Sequence, residues 1–121
     1  MIQQGVISRN IILADDDADD REMFEDALME TIHNNVRLTK ANDGRQLMHL
    51  LDESVPPPPE VIFLDLNMPV KNGFECLNEI RQTNKLKNIP VVIYSTSSDK
   101  EFIDKVYDQG ADYYICKPAT F

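Results

Sequence analysis

Four short apolar runs in this chain are each followed by side chains that could take part in metal binding or phosphoryl transfer. These side chains belong to Asp15, Asp16 and Asp17, then to Asp65, Ser95 and Lys117. Parallel strands of an open α/β sheet all end at one edge, and such folds bind ligands in the crevice outside that edge. If the four runs are parallel strands, their polar ends form one site of carboxylates, a hydroxyl and an ammonium. Such a site could hold a divalent metal ion and move a phosphoryl group.

The acidic cluster after the first run is denser than helix capping requires. It contains Asp15, Asp16, Asp17, Asp19 and Asp20. An acid near a helix N-terminus gains about 0.3–1 kcal/mol from the helix dipole, which explains one or two of these residues. Three consecutive carboxylates after a strand repel one another, and a divalent cation relieves that repulsion. Because Mg²⁺ prefers hard oxygen ligands, the cluster predicts a magnesium site. An EF-hand loop is a poor alternative, since Asp20 stands where its turn glycine belongs.

Asp65, Lys117 and Ser95 have roles that complement one another. A carboxylate is a recognised nucleophile for phosphoryl transfer, although a lone aspartate after a strand is often only a turn former. A lysine at a strand end usually points to solvent, but nearby carboxylates attract it, and it can bind a phosphoryl oxygen. Ser95 can donate a hydrogen bond to the same group, and the serines that follow it are available for helix capping.

Apolar periodicity predicts alternating strands and helices along the chain. The predicted strands are Asn10–Ala14, Val36–Ala41, Val61–Leu64, Val91–Tyr94 and Tyr113–Cys116. The predicted helices are Asp19–Ile32, Gly44–Asp52, Gly73–Gln82 and Asp99–Gln109. This alternation indicates an α/β fold with a parallel sheet between helices. The most apolar strands belong in the centre, which predicts the flavodoxin-like, doubly wound order 2-1-3-4-5.

Smaller features refine this organisation. Capping boxes are predicted at Asp19 with Glu22 and at Ser98 with Glu101. The proline run at 56–59 is expected to be a stiff connector, with a polyproline ligand as the less common alternative.

Length and composition narrow the functional classes. The 121 residues predict one domain, 1–121, with its core from about residue 10 to 118. The net charge of −9 disfavours direct binding to nucleic acid or to an anionic membrane. No apolar run has membrane-spanning length, and the N-terminus lacks a signal-peptide core. Cys76 and Cys116 fit small buried hydrophobes rather than a disulfide framework, so a cytoplasmic protein is expected.

The motifs ADDD, FLDLNMPVKNG, VVIYSTS and YYICKP, in this order, resemble the receiver domain of two-component response regulators. The resemblance covers nearly the whole chain. It implies that Asp65 accepts a phosphoryl group from a sensor histidine kinase or a histidine phosphotransfer protein. It also implies that Asp15, Asp16, Asp65 and the main-chain carbonyl of Asn67 bind Mg²⁺.

The resemblance further implies a conformational switch. Ser95 takes the hydroxyl position, Tyr114 the aromatic switch position, and Lys117 the lysine position with a cis bond to Pro118. The expected protein is a stand-alone receiver that assists its own phosphorylation and dephosphorylation but is not an enzyme. Its signal would pass to an unknown downstream protein through the surface near the last helix and strand.

Two departures from the family pattern carry expectations. Thr96 follows Ser95 where the family usually has alanine or glycine, and its bulk is expected to slow access to Asp65. The chain stops at Phe121, where the family's fifth helix would begin. We therefore expect a missing or truncated fifth helix and exposed apolar groups near the first and last strands. The cover would come from a neighbouring chain, giving a homodimer through this surface, unless the sequence is truncated.

Two other classes fit parts of the pattern. A magnesium-dependent phosphatase of the haloacid dehalogenase type also uses an aspartate nucleophile at a strand end. That class needs a second acid two residues after the nucleophile, and Asp65 is followed at that spacing by Asn67. The pair Asp15-x-Asp17 has the right spacing but lacks the threonine or valine that should follow it. A flavin-binding module would need a phosphate-binding loop after the first strand, and the aspartates there would repel a phosphate.

Overall fold

Five strands and four helices alternate in the computed structural model, which describes residues 9–31, 35–53 and 58–118. The strands are β1 (Arg9–Ala14), β2 (Val36–Ala41), β3 (Val61–Leu64), β4 (Val91–Ser95) and β5 (Tyr113–Cys116). The helices are α1 (Ala18–Thr31), α2 (Gly44–Glu53), α3 (Gly73–Gln82) and α4 (Lys100–Asp108). Each predicted element is present. None of the described helices combines the length and apolar character needed to cross a membrane.

Three predictions fall outside the described residues. They concern the end of the first helix at Ile32, the first half of the proline run, and the fifth helix expected at Phe121. Within the described part of the chain, the observed ends of helices and strands differ from the predicted ends by no more than one residue.

All four strand pairs in the sheet are parallel, and the strand order is β2-β1-β3-β4-β5. The predicted flavodoxin-like order is thereby confirmed. The order follows the apolar character of the strands, since β3 is apolar throughout and has a neighbouring strand on either side. The edge strands β2 and β5 are more polar or more exposed.

One face of the sheet packs against a complete apolar core. Alternate residues of the central strands, such as Ile62 and Leu64, are fully buried there together with side chains of α2 and α3. Leu47 and Leu77 are the corresponding fully buried residues on the helices. Because strand side chains alternate between faces, every second residue of β3 contributes to this core.

The opposite face is covered by α1 less completely. Helix α1 has no buried residue, and Phe24 is its main contact, with ring centroids 4.8 Å from Phe63 and 5.6 Å from Tyr94. Beside Phe24 lies an open cavity of about 490 Å³ that reaches Met23 and Ile115. Met23 is 37% exposed and Ile115 45% exposed. Among the described residues, apolar groups on this face are therefore open to solvent, in agreement with the sequence expectation.

The caps of two helices differ from the predicted capping boxes. Asp17, not Asp19, caps α1, since its Oδ1 accepts the N–H groups of Asp19 and Asp20 at 2.9 and 3.1 Å. Asp99, not Ser98, is the N-cap of α4 and accepts a first-turn N–H at 2.8 Å. Both predictions were wrong because neighbouring Asp and Ser residues offer several chemically equivalent caps.

Candidate functional site

The predicted site residues meet at the carboxyl edge of the sheet. Asp15 follows β1, Asp65 follows β3, Ser95 ends β4 and Lys117 follows β5. These four are the buried polar or charged side chains of the described residues, with exposures of 0%, 5%, 0% and 7%. Backbone hydrogen bonds fix their order, because Asp65 N–H donates to Ala14 O at 3.0 Å and Lys117 N–H donates to Ser95 O at 2.8 Å. Burial of polar groups at one edge marks this edge as the candidate site.

Lys117 contacts three carboxylates at once. Its Nζ lies 2.6 Å from Asp15 Oδ2, 2.9 Å from Asp20 Oδ2 and 3.3 Å from Asp65 Oδ2. All three contacts join the charged ammonium to a carboxylate oxygen, and the contact to Asp15 is the shortest of them. Burial disfavours the charged ammonium, but the carboxylates outweigh it, so the pKa of Lys117 lies above its ordinary value. The site therefore holds a protonated lysine.

Three acids at this edge could share a cation. Asp15, Asp16 and Asp65 each offer one carboxylate oxygen, and these oxygens lie within 4.8 Å of one another. Oδ2 of Asp15 is buried, and the ammonium of Lys117 lies 2.6 Å from it. Asp16 is exposed, which leaves the cluster open to solvent on one side. Hard carboxylate oxygens that lie close together and an open side fit a divalent cation that keeps some of its water.

The carboxyl group of Asp65 is poorly stabilised in its charged form. Burial raises the pKa of Asp65 from 3.8 to about 6, with Lys117 opposing the shift and Asp15 adding to it. The main-chain N–H of Asn67 lies 3.4 Å from Oδ1, a long and weak hydrogen bond. At neutral pH the group is ionised and only partly compensated, which is the state that a carboxylate nucleophile needs.

The loop after Asp65 is held tightly at its far end. Gly73 packs so closely that a Cβ there would collide with the carbonyl oxygen of Asp65, and its N–H donates to Leu66 O at 3.0 Å. Helix α3 then begins with a capping box in which Asn72 and Glu75 each accept the other's N–H at 3.0 Å. The strand end and the helix start are thus locked together around the acidic residue.

The middle of this loop contains a strained residue. Val70 has φ of 69° and is 72% exposed, and the N–H of Lys71 donates to Pro69 O at 2.7 Å across it. This is a γ-turn with a β-branched residue in the left-handed region, an uncommon and costly arrangement. The loop is pressed onto α2, because a side chain at Gly44 would collide with Lys71 O.

Ser95 and Tyr114 are connected through the loop after β4. The N–H of Ser97 lies 3.4 Å from Ser95 Oγ, and the carbonyl oxygen of Ser97 accepts the hydroxyl of Tyr114 at 2.6 Å. Tyr114 is half-buried and packs against the apolar core. A movement of this loop would therefore change the hydrogen bonds of both side chains.

The structure also shows two neighbours of Lys117 for which the sequence assigned no role. Asp20 in the first turn of α1 binds its ammonium, and the ring of Tyr94 lies 5.5 Å below it. The sequence pattern places Asp20 only within the acidic cluster. Its position in the first turn of α1, which begins four residues after the end of β1, was the available signal. Thr96 directly follows Ser95 and is exposed, and its effect on access to Asp65 stays a prediction.

Comparison with known proteins agrees with this geometry. The family model described as the response regulator receiver domain matches residues 11–121. This chain belongs to that family. Receiver domains are phosphorylation-based signalling switches of two-component systems rather than classical enzymes, and they interact with histidine kinases or histidine phosphotransfer proteins.

Individual relatives extend the similarity over most of the receiver domain. The rice (Oryza sativa subsp. japonica) two-component response regulator ORR12 is 35% identical over 111 residues, covering 92% of this chain and 88% of ORR12. The phosphorylated cyanobacterial phytochrome response regulator RcpA superposes with a TM-score of 0.87 at 33% identity, covering 94% of this chain and 84% of RcpA. The Mn²⁺-bound response regulator Rcp1 gives a TM-score of 0.85 at 31% identity, covering 93% and 84% of the two chains.

Proposed function

We propose that this receiver accepts a phosphoryl group on Asp65. The donor would be a phosphohistidine of a sensor histidine kinase or of a histidine phosphotransfer protein. The P–N bond to the imidazole breaks, a P–O bond to a carboxylate oxygen of Asp65 forms, and the imidazole takes up a proton as it leaves. The observation that carries the proposal is the burial of Asp65 beside Lys117 at the carboxyl edge of a receiver fold.

The cofactor in this proposal is Mg²⁺. Asp15, Asp16 and Asp65 would hold it together with the main-chain carbonyl of Asn67, and when bound it supplies positive charge against the phosphoryl oxygens. The close approach of the three carboxylates and the exposure of Asp16 on one side support this assignment. The participation of Asn67 stays a prediction, because only its N–H contact to Asp65 is visible.

Lys117 and Ser95 are the proposed partners of the transferred phosphoryl group. The lysine reaches Asp65 already, so its ammonium could bind an oxygen of a group attached there. The oxygen of Ser95 faces the N–H of Ser97, which leaves the hydroxyl hydrogen as a donor. Both side chains are buried, so their hydrogen bonds would meet little competition from water.

The switch would run from Ser95 to Tyr114. If Ser95 turns towards a phosphoryl group, it loses its contact with Ser97, and the carbonyl of Ser97 is the acceptor of Tyr114. The surface of α4 and β5 would then change and present a different face to the downstream protein. Because a modification shifts populations only by differential contacts, this hydrogen-bond pair is where we expect them.

The phosphatase alternative is not favoured. Asp65 is followed two residues later by Asn67, which lacks the carboxyl group that a haloacid dehalogenase-type enzyme needs at that position.

A cytoplasmic location remains part of the proposal, and the two free cysteines suit a reducing compartment. A homodimer through the open α1 face also remains proposed, on the basis of the exposed apolar groups there.

Phosphorylation with a small donor tests the assignment of Asp65. Acetyl phosphate and Mg²⁺ should label the wild-type protein and leave the Asp65→Asn variant unlabelled, as measured by intact-protein mass with an increase of one phosphoryl group. Asp108→Asn provides the control, since Asp108 is an exposed acid at the end of α4. Equal labelling of wild type and Asp65→Asn would overturn the proposal. Omission of Mg²⁺, with a chelator present, should abolish labelling of the wild type.

A further inference from the structure

Lys117 is bound by three carboxylates, and these fall into two groups. Asp15 and Asp65 belong to the acidic trio that fits a divalent cation, together with Asp16. Asp20 does not belong to that trio, yet its Oδ2 accepts a hydrogen bond from the ammonium at 2.9 Å. Two of the lysine's partners are therefore shared with the proposed cation, and one is reserved for the lysine.

We propose that Asp20 is a positioning residue that keeps the ammonium of Lys117 at the rim of the site when Asp15 and Asp65 are engaged elsewhere. The inference rests on the proposed function, because it assumes that those two carboxylates face a cation or a phosphoryl group. The hydrogen bond to Asp20 then holds the ammonium of Lys117 in place. It is not itself expected to touch the phosphoryl group.

The position of Asp20 suits this role. It lies in the first turn of α1, where its own N–H donates to Asp17 Oδ1 at 3.1 Å, so its backbone is fixed. The side chain of Asp20 is 21% exposed and that of Lys117 3% exposed. A pair buried to this degree is screened less than a surface ion pair. The hydrogen bond links the helix to the end of β5 across 97 residues of sequence.

Without Asp20, the lysine would have only the shared carboxylates near it. The ammonium would then compete with a cation for Asp15 and Asp65, since both positive charges need the same oxygens. Loss of Asp20 should therefore leave the lysine less firmly held when the cation is present, and should make it a poorer ligand for a phosphoryl oxygen.

A simpler role for Asp20 is an acid that stabilises the N-terminus of α1. Asp19 separates the two possibilities, because it lies in the same turn and carries the same charge but is exposed and has no contact with Lys117. Asp20→Asn and Asp19→Asn change the net charge and the helix terminus equally. Only the first removes the hydrogen bond to the lysine, and Asp20→Glu keeps a carboxylate.

The direct test follows the ammonium of Lys117 by NMR of lysine side-chain nitrogen, assigned with Lys117→Arg. In the wild type its hydrogens should exchange slowly with water, both with and without Mg²⁺. In Asp20→Asn with Mg²⁺ the exchange should be at least about threefold faster, as expected for loss of one partly buried charged hydrogen bond. Asp19→Asn should match the wild type, and Asp20→Glu should recover part of the protection. Unchanged exchange in Asp20→Asn with Mg²⁺ would overturn the proposal.

Labelling by acetyl phosphate gives a second readout. The rate for Asp20→Asn should fall about three- to tenfold, with Asp19→Asn unchanged. An equal fall in both variants would show a helix-terminus effect and reject the positioning role. The proposed function fails separately, by labelling of Asp65→Asn. Thermal unfolding of each variant measures whether it is folded. If Asp20→Asn is not folded, the same exchange and labelling measurements are made on Asp20→Glu, which should keep only part of the wild-type protection.

Discussion

The apolar core and the polar site bury their side chains equally well but with opposite consequences. Leu77 in the core and Asp15 at the carboxyl edge are both 0% exposed. Burial of the leucine removes apolar surface from water and stabilises the fold. Burial of an aspartate removes hydration from a charge, and for Asp65 at the same edge the contact with Lys117 only partly compensates. The core face of the sheet therefore stabilises the fold, whereas the burial of charged groups at its carboxyl edge destabilises it.

The largest effect should come from the core. Leu77→Ala removes a fully buried side chain between α3 and the sheet, and we expect a loss of about 2–5 kcal/mol in the free energy of unfolding. Urea denaturation at neutral pH measures it. Leu50→Ala is the matched control, because Leu50 is only partly buried against the same core and should lose less. Equal losses would show that the core is looser than its burial indicates.

Asp65→Asn should act in the opposite direction. The folded-state pKa of Asp65 is raised from 3.8 to about 6, so the folded protein binds a proton more tightly than the unfolded chain. Wild-type stability should therefore fall as the pH rises between these values and stay lower above them. Without metal at pH 7.5, Asp65→Asn should be more stable than the wild type by about 1–3 kcal/mol. Denaturant unfolding at several pH values between 4 and 8 measures the difference.

The pH dependence is the decisive part of that prediction. The advantage of Asp65→Asn should shrink towards zero near pH 4, where the wild-type carboxyl group is protonated in the folded protein and about half protonated in the unfolded chain. Asp16→Asn is a suitable control, since Asp16 is exposed and should change stability little. Greater stability of the wild type than of Asp65→Asn at pH 7.5 would mean that Lys117 compensates Asp65 fully, and the contrast between core and site would be lost.

The difference between the two regions also separates what the sequence could predict from what it could not. The apolar runs at Val61–Leu64 and Val91–Tyr94 predicted the central strands, because strands with a neighbour on either side in a parallel sheet are typically apolar throughout. The strand order then brought Asp15, Asp65 and Lys117 to one edge without any knowledge of side-chain contacts. Placement of strand ends was therefore predictable from local patterns alone.

Contacts between side chains of distant segments were not predictable in this way. Five aspartates in six positions are alike in type, and only the fold distinguishes Asp20, which binds Lys117, from Asp19, which caps nothing. The helix caps failed for the same reason, since adjacent acids are nearly equivalent until the backbone is known. The γ-turn at Val70 was also unforeseen, because a β-branched residue is among the least expected at a positive φ.

Substitutions at Val70 test whether backbone strain in the loop beside Asp65 lowers the stability of the protein. Val70→Asn should raise the free energy of unfolding by about 1 kcal/mol, since asparagine tolerates the left-handed region far better than a β-branched residue. Val70→Ile keeps the branch and should leave stability near that of the wild type. A destabilised Val70→Asn would mean that the exposed valine makes a compensating contact, and the strain would then not belong to the functional edge. Thermal unfolding of the three proteins decides between these outcomes.

The smallest effect on the folded monomer should come from the open α1 face, which shares the apolar character of the core but not its burial. Met23→Glu should change the stability of the monomer by less than about 1 kcal/mol, because Met23 is 37% exposed. If a second copy covers the groove, the same change should abolish dimerisation in sedimentation velocity. Asp26 and Glu30 line this groove, so two copies would bring like charges together, and added salt should strengthen the dimer. A wild-type protein that stays monomeric at high concentration and in high salt would contradict the proposed homodimer, and the open face would then need a different partner.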